Sequence, residues 1–592
     1  MSVGVDTGGT FTDVVSDDGR VLKAPSTPQD PSLAVADALR RVGRPDLLAH
    51  GTTVATNALL ERRGARVALV TTLGFADVIE IARQDRPALY DQWIDRPEPL
   101  VPRELRLEVA GRLDATGAQL EPLARELPRV PRGVEALAVC LLHSDLDESH
   151  ERELTERLAP LGLPVWRSSQ VSPEFREYER TVTTVVSAHL GPTCGDYLAR
   201  LATMADSVLV MTSAGGLVPV DQAAAKPATL LLSGPAGGVQ AGAAAAAAAG
   251  YPDVITFDMG GTSTDVCLVR DGVPEPAGQR TIAGLPLRLP ALDIHSIGAG
   301  GGSMARIDPG GALVVGPQSA GADPGPACYG RQDTAATVTD ADLVEGRIAA
   351  GTAFPGIGPL DDRAARRALD HGGMHAKGVI EVVDATMEQA LRVVSVQRGV
   401  DPRSLALVAF GGAGPLHACA LAEALDMAAV VVPPRAGVLS AVGLLCSPRQ
   451  ADLVRSWPTP GSVDGLSQAL AELAGRAAEQ MAAEDREVVV ETAVDCRYAG
   501  QSHELTVPSP EAFPAEHLRR NGFSRPGAPV EVVALRARAT APAPLTAEDL
   551  GPPPARQPAS GPCVVSEPDC TLWIPDGWRA EVAPDGAWVL KR

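Results

Sequence analysis

Residues 3–15 read VGVDTGGTFTDVV, and residues 255–267 read ITFDMGGTSTDVC. At an offset of 252 residues, Asp6, Gly8, Gly9, Thr10, Thr12, Asp13 and Val14 fall on Asp258, Gly260, Gly261, Thr262, Thr264, Asp265 and Val266. Each copy is an apolar strand ending in an aspartate, a Gly-Gly turn, a group of hydroxyls and a second apolar strand. Gly-Gly supports turns that need positive φ, so each copy predicts a β-hairpin. The glycines let backbone N–H groups approach an anion closely. Thr and Ser hydroxyls add neutral donors, and an aspartate at the strand end suits Mg²⁺ or its waters. One such stretch is compatible with an ordinary Asx turn. Two copies matched at seven positions predict two similar domains that face each other across a shared site.

The rest of the composition narrows the class. The chain has 592 residues and a net charge of -21, which repels nucleic-acid backbones at long range. Its four lysines are Lys23, Lys226, Lys377 and Lys591. None lies in either hairpin turn, so phosphate charge is expected to be met by backbone dipoles and metal. Nine cysteines are scattered without a CxxC pair, which predicts reduced thiols and a cytoplasmic chain. The uncharged stretch 227–252 includes Ala243–Ala249 and is read as a strand, a loop and an Ala-rich helix ended by Gly250, not as a membrane span.

Outside the repeat, GAGGGS at 298–303 predicts a loop that permits close backbone contact through Gly300, Gly301, Gly302 and Ser303. LALVAF (405–410) reads as a strand, followed by Gly411, Gly412 and Gly414 and then a helix with Pro415 near its start, a known way to bring backbone against a nucleotide. Residues 50–63 (HGTTVATNALLERR) enter a helix, and 83–91 (RQDRPALYD) read as a polar loop. After about residue 455 the pattern turns to short alternating segments and Pro-Asp-Gly turns, a β-rich C-terminal module. The expected domains are 1–185, 186–455 and 456–592.

Duplicated hairpins resemble the actin, sugar-kinase and Hsp70 superfamily. That likeness implies an α/β fold of two ribonuclease-H-like domains clamping ATP, with a β-rich C-terminal domain added here. Over nearly its whole length the chain also resembles the A subunit of the hydantoinase/5-oxoprolinase family, which is related to acetone and acetophenone carboxylase subunits. The two hairpins, HGTTVATNALLER (50–62), RQDRPALYD (83–91), SGPAGGV (233–239), DIHSIGAGGGS (293–303), VGPQSAGADPGPACYG (315–330), VTDADLVEGR (338–347) and AFGGAGPLHA (409–418) carry this resemblance.

The resemblance implies ATP-dependent opening of a cyclic amide such as a hydantoin, 5-oxoproline or a lactam. This chain would phosphorylate the carbonyl or enol oxygen, with a hydantoinase B-type subunit as partner. An ATP-using subunit of a ketone carboxylase, acting on a ketone with bicarbonate, is the alternative; an actin-like assembly ATPase or a single-chain sugar kinase are readings of other classes. On the main reading Asp6 and Asp258 hold Mg²⁺, and Asp13 and Asp265 support them or act as base. Gly8, Gly9, Thr10, Phe11 and Thr12, with Gly260, Gly261, Thr262 and Ser263, cradle phosphates. Gly300 to Ser303 and Gly411, Gly412 and Gly414 line the nucleotide, while His50, Thr52, Thr53, Arg83 and Asp85 are substrate-side candidates. Neither nucleic acid nor membrane is expected as a partner. Asp6→Ala and Asp258→Ala should each abolish Mg²⁺-dependent ATP turnover in a folded chain, measured as phosphate release with circular dichroism as control; normal turnover in both variants refutes the assignment.

Overall fold

The two hairpins seed two large sheets. The computed structural model describes residues 1–27, 30–331, 335–354, 356–481 and 487–592. In the first repeat, Ser2–Thr7 pairs antiparallel with Phe11–Ser16 and parallel with Leu47–Thr52, which pairs parallel with Ser207–Met211. In the second, Val254–Met259 pairs antiparallel with Thr264–Arg270 and parallel with Ala406–Phe410, which pairs parallel with Ala429–Val432. The register is the same in both, with Asp6 opposite Asp13 and Asp258 opposite Asp265. The central strands are mostly buried, as sheets covered on both faces require.

Two small-residue helices lie between the sheets. Ser233–Ala248 packs on Leu439–Cys446, and the latter also lies on Ser2–Thr7. Their approach depends on missing side chains: a Cβ at Gly443 would stand 1.9 Å from the Gly237 carbonyl oxygen, and one at Gly4 would stand 2.4 Å from that of Ala441. The Gly-rich first half of the Ser233–Ala248 helix is buried between the lobes while the Ala-rich end is partly exposed, and no helix among the described residues is long and apolar enough to cross a membrane.

Chain order and sheet order part company at both expected boundaries. Helix Glu177–Ala202 runs straight through residue 185, and the strands after it, Ser207–Met211 and Leu217–Pro219, return to the first sheet. The segment after 456 is divided between the sheets. Val489–Tyr498, Leu505–Val507 and Val530–Ala541 extend the first sheet beyond Arg449–Ser456, over a small core of their own. Arg579–Val582 and Trp588–Lys591 add to the second sheet beside Ala429–Val432. A buried ion network fastens the first extension to the rest: Arg288 bonds Glu174 (2.8 Å) and Glu504 (2.6 Å), and Arg536 bonds Asp495 (2.7 Å) and Glu174 (3.1 Å).

A second buried charge cluster sets three helices against one another. His417, on Gly414–Ala424, lies 2.6 Å from Asp384 on Ala376–Val394 and 3.3 Å from Asp342 on Val338–Val344. Burial alone would lower its pKa, but the carboxylates of Asp342 and Asp384 outweigh burial and hold it up at about 9. The native state thus binds this proton more tightly than the unfolded chain does. The resulting stability is complete below an unfolded pKa near 6.5 and is lost as pH rises through about 9. His417→Gln should cost about 3 kcal/mol at pH 6, the low end for breaking a buried pair, because Asp342 and the half-buried Asp384 are left, among the described residues, with Arg347 alone, at 4.0 and 3.9 Å. In denaturant titrations the wild-type advantage should shrink between pH 7 and 10; a constant difference over that range refutes the charged state.

Candidate functional site

The hairpin turns are built alike. Gly8 N donates to Phe11 O at 3.0 Å, and Gly260 N donates to Ser263 O at 3.1 Å. The turns meet reciprocally: a Cβ at Gly261 would stand 2.7 Å from Thr10 Oγ1, and one at Gly9 would stand 3.6 Å from Thr262 Oγ1. Each threonine therefore sits against the other turn's glycine, and a cleft of about 280 Å³ opens where they meet.

Asp6, Asp13, Asp258 and Asp265 all line this cleft. Each opens on it yet is enclosed by protein elsewhere. Asp6 fits because its neighbours lack side chains: a Cβ at Gly51, its partner on the parallel strand, would lie 2.7 Å from Asp6 Oδ1, and one at Gly234 would lie 3.0 Å away. Gly411, at φ +80°, does the same for Asp258, where a Cβ would lie 2.3 Å from Oδ1. Asp6 Oδ1 is buried without a hydrogen-bond partner. Burial pushes Asp6 up to about 7, with the Asp13 carboxylate adding to the rise, Lys23 opposing it and Asp265 adding further. Burial and the carboxylates of Asp265, Asp6 and Asp13 raise Asp258 well above the usual range. Asp13 is raised by burial against an opposing Lys23, its ion-pair partner at 2.8 Å. Asp265 is raised by burial, although Ser296 and Ser263 donate to it.

The glycine-rich segments divide their roles. Gly8, Gly9, Thr10, Phe11, Gly260, Gly261, Thr262, Ser263, Gly301, Gly411 and Gly412 line the cleft. Gly300, Gly302 and Ser303 instead brace the second turn from behind. Gly301 N and Gly302 N donate to the Gly260 and Gly261 carbonyls at 3.0 and 2.7 Å, and a Cβ at Gly300 would lie 2.7 Å from Thr262 N. Thr12 is buried with its hydroxyl 3.2 Å from Ser26, and Gly414 begins the helix beyond the cleft wall.

Of the substrate-side candidates, Thr53 alone reaches the cleft, donating to Thr7 O at 3.2 Å. His50 is fully buried against the Tyr197 hydroxyl at 2.7 Å, and burial lowers its pKa to about 4, so it is neutral. Thr52 is buried and accepts from Val54 N at 3.1 Å. Arg83 pairs with Glu179 at 2.5 Å, and Asp85 is exposed; neither lines the cleft.

Other cleft residues escaped the sequence reading. Lys23 comes in on Val21–Pro25, whose register sets it opposite Asp13. No local pattern in the sequence marks it; the pairing of this third strand with the hairpin places it there. Tyr329, Ile348, Phe354 and Leu416 form an apolar side, and the capping box of Thr337 and Asp340 seats Thr339 next to it. Gly437 to Ser440 and the tail turn Ser566 to Thr571 close another side, with Asp569 accepting from Gly437 N at 2.8 Å.

The hydantoinase/oxoprolinase family profile matches residues 180–452, and the profile of the family's N-terminal region matches residues 2–161. The caprolactamase subunit alpha of Pseudomonas jessenii is 32% identical, with 99% of this chain and 98% of that protein covered. This chain belongs to the hydantoinase/oxoprolinase family. 5-Oxoprolinase 1 of Arabidopsis thaliana is 33% identical over 85% of this chain, which spans 46% of that longer protein. Among solved structures, ATP-dependent caprolactamase from Pseudomonas jessenii superimposes with a TM-score of 0.83 at 31% identity, covering 100% of both chains. Nucleotide-free acetone carboxylase superimposes with a TM-score of 0.76 at 25% identity, covering 100% of this chain and 99% of that one. The α/β class with two actin-like domains and an added β-rich region agrees with both.

Four raised carboxylates have a thermodynamic consequence for the family member described here. A raised native pKa means that ionisation costs the native state more than the unfolded chain. For Asp6 this cost is absent below about pH 4, grows through pH 7 and is complete above it. Asp6→Asn should therefore raise the melting temperature of the nucleotide- and metal-free protein at pH 8, with little change at pH 4, while ATP turnover is lost. Equal melting temperatures at pH 8 would refute this account of the cleft.

Proposed function

We propose that this chain is the ATP-using subunit of an enzyme that opens a cyclic amide, and that it transfers a phosphoryl group to the substrate's carbonyl or enol oxygen. The observation that carries the reading is the pair of Asp-Gly-Gly hairpins meeting tip to tip across one cleft. An unstrained amide carbonyl is a poor electrophile, and phosphorylation of its oxygen makes it reactive. Such a transfer needs positioning and charge neutralisation more than covalent chemistry from the protein. The two turns offer backbone N–H groups and the hydroxyls of Thr10, Thr262 and Ser263 to phosphate oxygens. The apolar side at Tyr329, Ile348, Phe354 and Leu416 suits a nucleobase. Asp13 and Asp265, one strand outward, hold the local charge pattern or take a proton.

The donors fit Mg²⁺ at Asp6 and Asp258: the buried Asp6 oxygen lacks a partner, and glycines leave both carboxylates room. Bound there, Mg²⁺ would offset phosphate charge that four carboxylates otherwise repel. A hydantoinase B-type subunit would supply the step after phosphorylation. The relative named caprolactamase subunit alpha supports a multi-subunit enzyme of this kind. The likeness to acetone carboxylase favours one second reading, in which the activated oxygen belongs to a ketone and carboxylation follows.

The test is co-expression with a B-type chain encoded next to it. ATP hydrolysis is then screened with hydantoin, N-methylhydantoin, 5-oxoproline, caprolactam, and acetophenone with bicarbonate. Stimulation by a cyclic amide, dependent on the B-type chain, is expected. Stimulation that needs both ketone and bicarbonate selects the carboxylase, and filament formation on adding ATP without stimulation by any substrate refutes both.

A further inference from the structure

We propose that Lys23 is the phosphate-binding cation of the cleft, supplied by a strand next to the hairpin rather than by the turn itself. The inference rests on the reading that the cleft takes ATP. Its ground is the position of one ammonium among carboxylates. Lys23 is the one cationic side chain among the described residues lining the cleft, where it meets Asp6, Asp13, Asp258, Asp265, Glu567 and Asp569.

Two contacts from different elements hold it there. Its Nζ lies 2.8 Å from Asp13 Oδ1, directly across the strand pair, and donates to the Gly437 carbonyl at 2.6 Å. It also stands 5.8 Å from the ring centroid of Phe11, another cleft residue. Gly437 is itself pinned from the far side: Asp569 accepts from its N–H at 2.8 Å, and a Cβ there would lie 1.9 Å from the Asp569 carbonyl oxygen. The lysine is thus gripped between the first hairpin and the segment that closes the cleft, with 11% of its side chain exposed. An ammonium has three donors. Asp13 and Gly437 engage two, and the third is left for a cleft ligand.

The charge pattern gives that donor its role. A triphosphate entering a cleft lined by carboxylates meets repulsion that neutral backbone donors only partly offset, and a divalent metal, if held by Asp6 and Asp258, would neutralise charge at those two carboxylates. Lys23 adds a fixed positive charge that needs no metal. If it served only to neutralise Asp13, its removal would weaken ATP binding merely by leaving that carboxylate uncompensated, and adding Asp13→Asn to Lys23→Met would restore ATP affinity, an outcome that overturns the proposal.

The experiment compares equilibrium binding of ATP, ADP and adenosine to the full chain, by isothermal titration calorimetry with and without Mg²⁺. It uses wild type, Lys23→Met, Lys23→Gln, which keeps a donor for Asp13 if the Met variant folds poorly, and the double variant Lys23→Met with Asp13→Asn, in which the loss of ATP affinity should remain. Both single variants should lose about tenfold or more in affinity for ATP and ADP, as expected for a charge-assisted hydrogen bond, and change by less than about twofold toward adenosine. The loss should persist without Mg²⁺. Unchanged ATP affinity overturns the proposal, and so does an equal loss for ATP and adenosine, which marks a structural role. Wild type binding neither ATP nor ADP overturns the ATP reading itself, and the proposal with it.

Discussion

Like charges held close in a partly dry cleft are the constraint on which the rest of this structure depends. Asp6, Asp13, Asp258 and Asp265 face one cavity, and burial raises each of them. A fold selected only for stability would not keep such a group. The surroundings make it tolerable without neutralising it. Lys23 offsets Asp13, Ser296 and Ser263 donate to Asp265, and Asp6 is left with an oxygen that no protein group satisfies. On the proposed reading, a cation and a polyanion bound in the cleft would relieve that repulsion.

Backbone proximity is what allows that arrangement. Gly51, Gly234 and Gly411 make room for the two strand-end carboxylates, and Gly237 and Gly443 let the two central helices touch backbone to backbone. The helices couple the sheets, the sheets carry the hairpins, and the hairpins carry the aspartates. A methyl group added at Gly237 or Gly443 would strike backbone, which has little freedom to move aside, whereas one at Gly51 or Gly234 would strike the Asp6 carboxylate itself. Charge plays the corresponding part farther out. The His417 cluster holds the helix that begins at Gly414, and the Arg288 and Arg536 network fastens the C-terminal strands to the first lobe.

The duplicated hairpin was legible because its chemistry is local. Strand, aspartate, glycine pair and hydroxyls lie within thirteen residues of one another in each copy, and the structure keeps their register. Gly411 and Gly412 were legible for the same reason, at a strand end before a helix. The glycines at 300 and 302 are harder to read because close packing and ligand contact ask for the same residue: here they admit the second turn's backbone. His50, Arg83 and Asp85 misled because polar residues in a family-like motif read alike whether they face a ligand, a buried tyrosine or solvent.

Two Asp-x-Gly-Gly hairpins, the aspartates they bear and their place in two similar lobes are written in the amino-acid order alone. Those facts follow from residue types at short spacing, where turn geometry leaves few alternatives. Only the tertiary structure decided what completes the cleft. Lys23 reaches it through strand register, Tyr329 from a 3-10 turn, Phe354 from a two-residue strand, and Glu567 to Cys570 from a tail more than 500 residues beyond the first hairpin. The tail also divides itself between both sheets rather than standing apart. Such partners are chosen by which strand edges and apolar faces remain open once both lobes have formed, a property of the packed whole that no local pattern encodes.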